Sequence, residues 1–283
     1  MTTAAAVVVL ALSGCGVFER PLDEPLRSQV RSLLLPSAEI EAAMEKEISI
    51  CARKFGWTKR VPYSIGGLQT LAGVSGVFSS VASAERIGYA ATLRETEDSG
   101  AEMTAEQVDG IIGSFEPENL FRYTSPKTGA GTAVPKTGCV SDARIKVYGS
   151  LEASIKVSGF ANELRGAPLG YQSRIRDLMS SMGASYRSCL QEHGRDFTIG
   201  EASEMAGRTW GQYRAHGSPP HAEELELLRI DAGCQEKIGL AAKLDDAVLE
   251  GASSWAKRHQ NEIAALAVLN EEAQKRAERI LAE

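Results

Sequence analysis

The chain of 283 residues carries a formal net charge of −6 and a pI near 5.5, which argues against nucleic acid, whose phosphates demand a basic face. Apolar content of 43% and charged content of 24% are ordinary for a folded chain and exclude wholesale disorder. The length suffices for one or two domains with a real hydrophobic core.

The chain opens on a short apolar run, Ala4 to Leu12, ending in Leu12-Ser13-Gly14-Cys15. Such a run is long enough for the apolar part of a signal peptide and too short to span a bilayer. A leucine, two small residues and a cysteine resemble a bacterial lipobox. Cys15 is then expected to receive a diacylglyceryl group and to become the mature N-terminus. Residues 1–14 would be the signal peptide, and the rest would lie outside the cytoplasmic membrane, anchored to it without spanning it. Met1-Thr2-Thr3 lacks the basic residue with which signal peptides usually begin, so ordinary secretion and a buried N-terminal helix stand as alternatives.

Residues 15–36 carry Pro21, Pro25 and Pro36 among mixed charges and read as a tether, with room for a short helix around Ser28 to Leu34. Ser37, followed by Glu39 and Glu41, opens a helix. Its apolar residues Ile40, Ala43, Met44, Ile48 and Cys51 recur at helical spacing, and Gly56 stops it. In the uncharged stretch Val61 to Ala84, Ile65, Leu68, Leu71, Val74, Phe78 and Val81 recur every three or four residues, the pattern of a glycine-broken helix. Thr104 and Gln107 form a capping box for a helix reaching Gly113. Ser125 to Gly138, rich in proline and glycine, reads as a loop, and Val140 to Leu151 as a helix.

The second half opens near Pro168 with a long helical pattern from Tyr171 to Glu192, then another from Glu201 to Tyr213. Ser218, before Pro219 and Pro220, reads as the N-cap of a helix that runs through Cys234. The strongest periodic element closes the chain. Leu244, Val248, Ala252, Trp255, His259, Ile263, Leu266, Asn270, Ala273, Ala277 and Leu281 form one stripe over about ten turns. Glu271/Lys275 and Glu272/Arg276 pair on its outer face. The stripe follows a period near 3.6 and not a strict heptad, which favours packing on its own domain over a coiled coil. Alternating strands are scarce. The expected class is mainly α: one helical domain over residues 37–283, of two similar disulfide-linked halves, about 37–160 and 168–283, with a long C-terminal helix.

With Cys15 assigned to lipid, Cys51, Cys139, Cys189 and Cys234 remain, an even set with three possible pairings. Their spacing excludes a compact zinc ribbon and a Cys-x-x-Cys redox pair. The chain echoes itself: Cys51 with Gly56 matches Cys189 with Gly194, and Gly138-Cys139 matches Gly233-Cys234. The simplest pairing is one bridge per half, Cys51 with Cys139 and Cys189 with Cys234. Each would contribute roughly 4 to 5 kcal/mol by loop closure in the chain-entropy model.

These motifs resemble an uncharacterised secreted or lipoprotein family of actinobacteria. The likeness rests on Cys51, Gly56 and Trp57; on Arg86, Gly88 and Tyr89; on Gly138 to Arg144; and on Cys189, Gly194, Asp231 and Cys234. It covers residues 38 to 283 and implies an exported, mostly helical, disulfide-linked protein with no activity attached.

No catalytic arrangement stands out, so an enzyme is not expected. Gly73-Val74-Ser75-Gly76-Val77 fails the nucleophile-elbow pattern at its last position, and Gly129-Ala130-Gly131-Thr132 lacks the lysine of a phosphate loop. His193, His216 and His221 read as surface residues and His259 as a packing residue, so neither a metal nor another cofactor is expected. Asp245/Asp246 and Glu223/Glu224 read as solvated helix faces. Trp57, Trp210 and Trp255 are candidates to line a binding groove, although aromatics at helical spacing are more often core. The functional expectation is a binding or interaction module on the outer face of the cell membrane. Its partner would be a cell-envelope protein or an extracellular ligand. A small-molecule or glycan receptor is the alternative, and an envelope hydrolase the least favoured reading.

Overall fold

The computed structural model describes residues 22–35, 37–58, 70–89, 103–125, 131–166, 171–210 and 220–283. The expected lipobox and Cys15 lie outside the described residues. The fold is mainly α-helical, as expected.

Helix α1 (Glu24–Leu34) contains the short helix expected around Ser28 to Leu34 but begins earlier and is packed into the core, in place of the expected tether. Asp23 caps it by accepting a hydrogen bond from the Leu26 N–H at 2.9 Å, with Pro25 in the first turn. Proline there fits, because that N–H has no helical partner in any case. Leu26, Val30, Leu33 and Leu34 recur at helical spacing and are buried. Pro25, one of the residues that suggest a loose leader, therefore stands in the first turn of a core helix. Asn270 fastens α1 further by donating to the Ser32 carbonyl at 3.2 Å.

Helix α2 (Ala38–Ala52) starts at Ser37 and tightens into a 3₁₀ turn, Arg53–Phe55, as expected from the caps. Gly56, at φ 72°, closes it, with bonds from the Gly56 N–H to Arg53 and from the Trp57 N–H to Ala52. The glycine-broken helix expected over Val61 to Ala84 is not found in its described part, which is residues 70 onward. Turns occupy residues 70–80, and the short α3 (Val81–Ile87) follows. Gly73 and Gly76 take positive φ, and the backbone N–H groups of Leu71 and Phe78 are taken by side chains of distant helices. Thr104 and Gln107 form their capping box at the head of α4 (Ala105–Ile111).

Part of the expected Ser125 to Gly138 loop is a strand. β1 (Leu120–Thr124) and β2 (Gly131–Pro135) form an antiparallel hairpin that pairs Phe121 with Val134 and Tyr123 with Thr132. The alternation is short and flanked by Gly and Pro, so pairing, not composition, creates the strand.

Helices α5 (Cys139–Tyr148), α6 (Leu151–Gly166), α7 (Tyr171–Glu192), α8 (Glu201–Thr209) and α9 (Ala222–Lys237) follow. The expected cap Ser218 lies outside the described residues. The cap observed on α9 is His221, whose Nδ1 accepts from the Glu223 N–H while Glu224 accepts from the His221 N–H.

The closing stripe is not one helix. It divides at His259 into α10 (Leu240–Arg258) and α11 (Gln260–Ala282). His259 leaves helical geometry at φ −112°, ψ 16°, stacks on Trp255 at 4.1 Å, and donates from Nδ1 to the Trp255 carbonyl at 2.7 Å. The apolar stripe survives the break. Leu244, Val248, Ala252, Ile263, Leu266, Ala273 and Ala277 are all buried. Glu271–Lys275 and Glu272–Arg276 form on the outer face, as expected.

The main core gathers α1, α2, α5, α6, α10 and α11 into one cluster. A second core joins Phe78 and Tyr89 to α8 and α9, and smaller clusters surround α7. The disulfides join Cys51 to Cys139 and Cys189 to Cys234, the pairing that the echo suggests. The first ties α2 to α5 and the second ties α7 to α9. The echo is exact in one part only. Gly194 at φ 68° repeats the Gly56 cap, with bonds from Gly194 to Gln191 and from Arg195 to Leu190. Gly138, however, heads α5 at φ 105°, where a Cβ would meet the Gly113 backbone at 2.8 Å, whereas Gly233 lies inside α9 with open space around it. No helix among the described residues is long and apolar enough to cross a membrane.

Candidate functional site

Three buried polar side chains, Glu224, Asp231 and Gln235, lie along α9. Asp231 is the node. Its Oδ2 accepts from the Tyr89 hydroxyl at 2.8 Å, and its Oδ1 accepts from the Tyr186 hydroxyl at 2.6 Å and from Gln235 Nε2 at 2.7 Å. Gln235 carries the network onto the turns of residues 70–80. Its Oε1 accepts from the Phe78 N–H at 2.9 Å, and its Nε2 also donates to the Gly76 carbonyl at 2.8 Å.

Burial pushes the Asp231 carboxyl above the usual range, against the opposing pull of the hydrogen bonds from Tyr186, Gln235 and Tyr89. Burial, and then the Asp231 charge, push both tyrosine hydroxyls up from their ordinary value. They remain donors. Every oxygen of the carboxylate has a partner, so the arrangement fastens the 70–89 segment to α7 and α9.

A second fastener works the same way on α10. Asp245 is fully buried; its Oδ1 accepts from the Leu71 N–H at 2.7 Å and its Oδ2 pairs with Arg31 at 2.6 Å. Asp246 pairs with Arg27, also on α1. The two carboxylates expected on a solvated face therefore both hold α1, and Glu224, expected exposed, is buried at the head of α9. One residue of each pair is thus buried because another element packs over it, while Asp246 stays half exposed and Glu223 exposed.

Tyr186, Gln235, Arg27 and Arg31 do not stand out in the sequence as site residues. A signal for Tyr186 existed. Tyr186 and Asp231 each precede a cysteine of one disulfide by three helical residues, which puts each on the face where the two helices meet.

The tryptophans do not converge on one groove. Trp57 and Trp255 pack on the main core, Trp255 against Phe160 and His259, while Trp210 packs on the second core and stacks on His221. A cleft of about 290 Å³ opens instead between β1, α6 and α11, lined by Tyr123, Lys156, Phe160, Glu163, Glu262 and Leu266, among others. A second, more open concavity lies over the Cys189–Cys234 bridge, beside His193. Neither includes a tryptophan. Among the described residues, Cys189, His193 and Cys234 alone approach metal-ligand spacing, but the two sulfurs are bonded to each other and offer no thiolate. His216 lies outside the described residues. No family model, curated protein or solved structure matches the chain.

Proposed function

We propose that the chain is a lipid-anchored binding protein on the outer face of the cytoplasmic membrane, of the actinobacterial lipoprotein type that its cysteine motifs resemble. The observation that carries the reading is the division of the cysteines. Four are committed to two disulfides, a feature of oxidising compartments, which leaves the fifth, Cys15, at the end of a lipobox-like run. The docking of α1 adds a geometric consequence. The chain from Cys15 to Leu22 spans at most about 25 Å when extended, so an anchored domain would work close to the membrane surface. The cleft between β1, α6 and α11 is the surface for recognition, with an apolar floor of Phe160 and Leu266 and both signs of charge at its edge. Its role is binding and not catalysis.

Growth with an alkyne-tagged fatty acid tests the anchor. Wild type should carry the label and sediment with membranes, and Cys15→Ala should do neither; an unlabelled wild type overturns the anchor. Photocrosslinking on intact cells from the Glu163 position tests the cleft. One envelope protein captured from the anchored form supports the interaction reading. The second reading, a receptor for an extracellular small molecule, is favoured by the same mixed aromatic and charged lining. It predicts a concentration-dependent rise in melting temperature with ligand.

A further inference from the structure

The Cys189–Cys234 bridge forms part of the wall of a concavity of about 410 Å³, open to solvent, together with His193, Arg229, Gly233 and Lys237. His193 follows Cys189 by one helical turn and is itself exposed. One of its ring nitrogens lies within 4.8 Å of both sulfurs. Arg229 and Lys237 bring two cations, and no acidic side chain is in the lining. Their partners Glu85 and Glu192 lie outside it. Gly233 leaves open space where a side chain would stand. The Cys51–Cys139 bridge lines neither concavity; Cys139 is fully buried in the main core, while Cys51 is half-buried.

A disulfide exchanges faster when its leaving sulfur is stabilised as a thiolate and when an attacking thiolate can reach it. Imidazole and cations beside a sulfur supply the first condition, and the concavity supplies the second. We propose that Cys189–Cys234 is a thiol–disulfide exchange site, with His193 serving the leaving sulfur and dithiols of exported proteins or peptides as the substrate class. This stands independently of the anchor and of the cleft.

The external thiolate attacks Sγ of Cys189, the more accessible of the two at 5% exposure against 1% for Cys234. A bond forms between them as the Cys189–Cys234 bond breaks, and its electron pair leaves on Cys234, where His193 holds the thiolate and supplies its proton. The second thiolate of the substrate then attacks the substrate's own sulfur in the mixed disulfide and expels Cys189 as a thiolate. Counted from the dithiol, the substrate gives two electrons to the cysteine pair and its two protons to solvent as it becomes a disulfide; Cys234 takes one proton through His193, which regains it from solvent, and the Cys189 thiolate takes the other from solvent.

Both bridges can be followed in one sample. The intact protein is exposed to dithiothreitol, quenched with acid, alkylated and mapped by mass spectrometry. Cys189–Cys234 should open at least about tenfold faster than Cys51–Cys139, even though Cys51 is the more exposed cysteine, because His193 and two cations stand beside the first bridge. His193→Gln should slow the first bridge about tenfold and leave the second unchanged, while His193→Lys should keep the rate. His193 is exposed, so neither variant disturbs the core, which circular dichroism checks. Equal opening of the two bridges, or an unchanged rate in His193→Gln, overturns the proposal.

Discussion

Replacing Asp231 by alanine tests whether the buried node holds the 70–89 segment. The change strands the Tyr186 hydroxyl, at 0% exposure, takes the Asp231 acceptor from the Tyr89 hydroxyl, and removes one of the two acceptors of Gln235 Nε2. An orphaned buried donor costs about 1–3 kcal/mol. Relief from burying the charge offsets part of this, as the raised carboxyl requires. The net loss should be about 3–5 kcal/mol, a large share of the 5–15 kcal/mol that holds a typical domain together. Asp231→Asn keeps an acceptor for Tyr186 and Gln235 and turns an amide toward Tyr89, so it should lie within about 1.5 kcal/mol of wild type. The two variants also separate in pH. Because the carboxyl is raised in the folded state, its contribution is fully present below the ordinary value of 3.8 and is lost as pH rises through the folded value. Stability of wild type relative to Asp231→Asn should therefore fall as pH climbs from that point. Denaturant melts of the disulfide-intact proteins, at several pH values, measure both effects. An alanine variant within 1 kcal/mol of wild type would refute the reasoning, as would a relative stability that rises with pH.

Other variants probe the remaining joints. Deleting residues 22–35 should unfold the domain, since it strips Leu22, Leu26, Val30, Leu33 and Leu34 from the main core and exposes what they cover, at about 1.5–3 kcal/mol for each side chain lost; a true tether could be removed with no change in the melt. Asp245→Ala should cost about 2–4 kcal/mol, because the Leu71 N–H loses its acceptor and Arg31 its partner. Hydrogen exchange should then rise across residues 70–80 before it rises elsewhere. Gly138→Ala, which forces a Cβ onto the Gly113 backbone at positive φ, should cost at least about 2 kcal/mol, whereas Gly233→Ala should be neutral or stabilising, as judged by thermal melts. Trp57→Phe should hold stability within about 0.5 kcal/mol or raise it, because the buried Trp57 Nε1 finds no hydrogen-bond partner among the described residues.

The features legible in the chain are those decided by near neighbours. Ser37 and the Thr104/Gln107 box begin their helices, Gly56 ends one in the left-handed region, and the Leu244 to Ala277 stripe faces inward, because caps and helical period depend on residues within a turn or two. Half of the disulfide pattern was legible for a related reason, since Cys51 with Gly56 and Cys189 with Gly194 mark equivalent helix ends, whereas Cys139 heads α5 and Cys234 lies within α9. Tertiary packing alone decided the rest. Whether Asp23 and Pro25 start a tether or a core helix depends on α11 and α10 lying beside that helix. Whether Asp245 and Glu224 face water depends on what covers α9 and α10, and no residue within a turn of them carries that information, whereas Asp231 has Cys234 three residues on to mark its face. Residues 70–80 are turns and not a helix because Gln235 and Asp245, far along the chain, take the backbone donors that a helix would need. Local sequence sets which conformations are cheap, and burial, a property of the assembled chain, chooses among them.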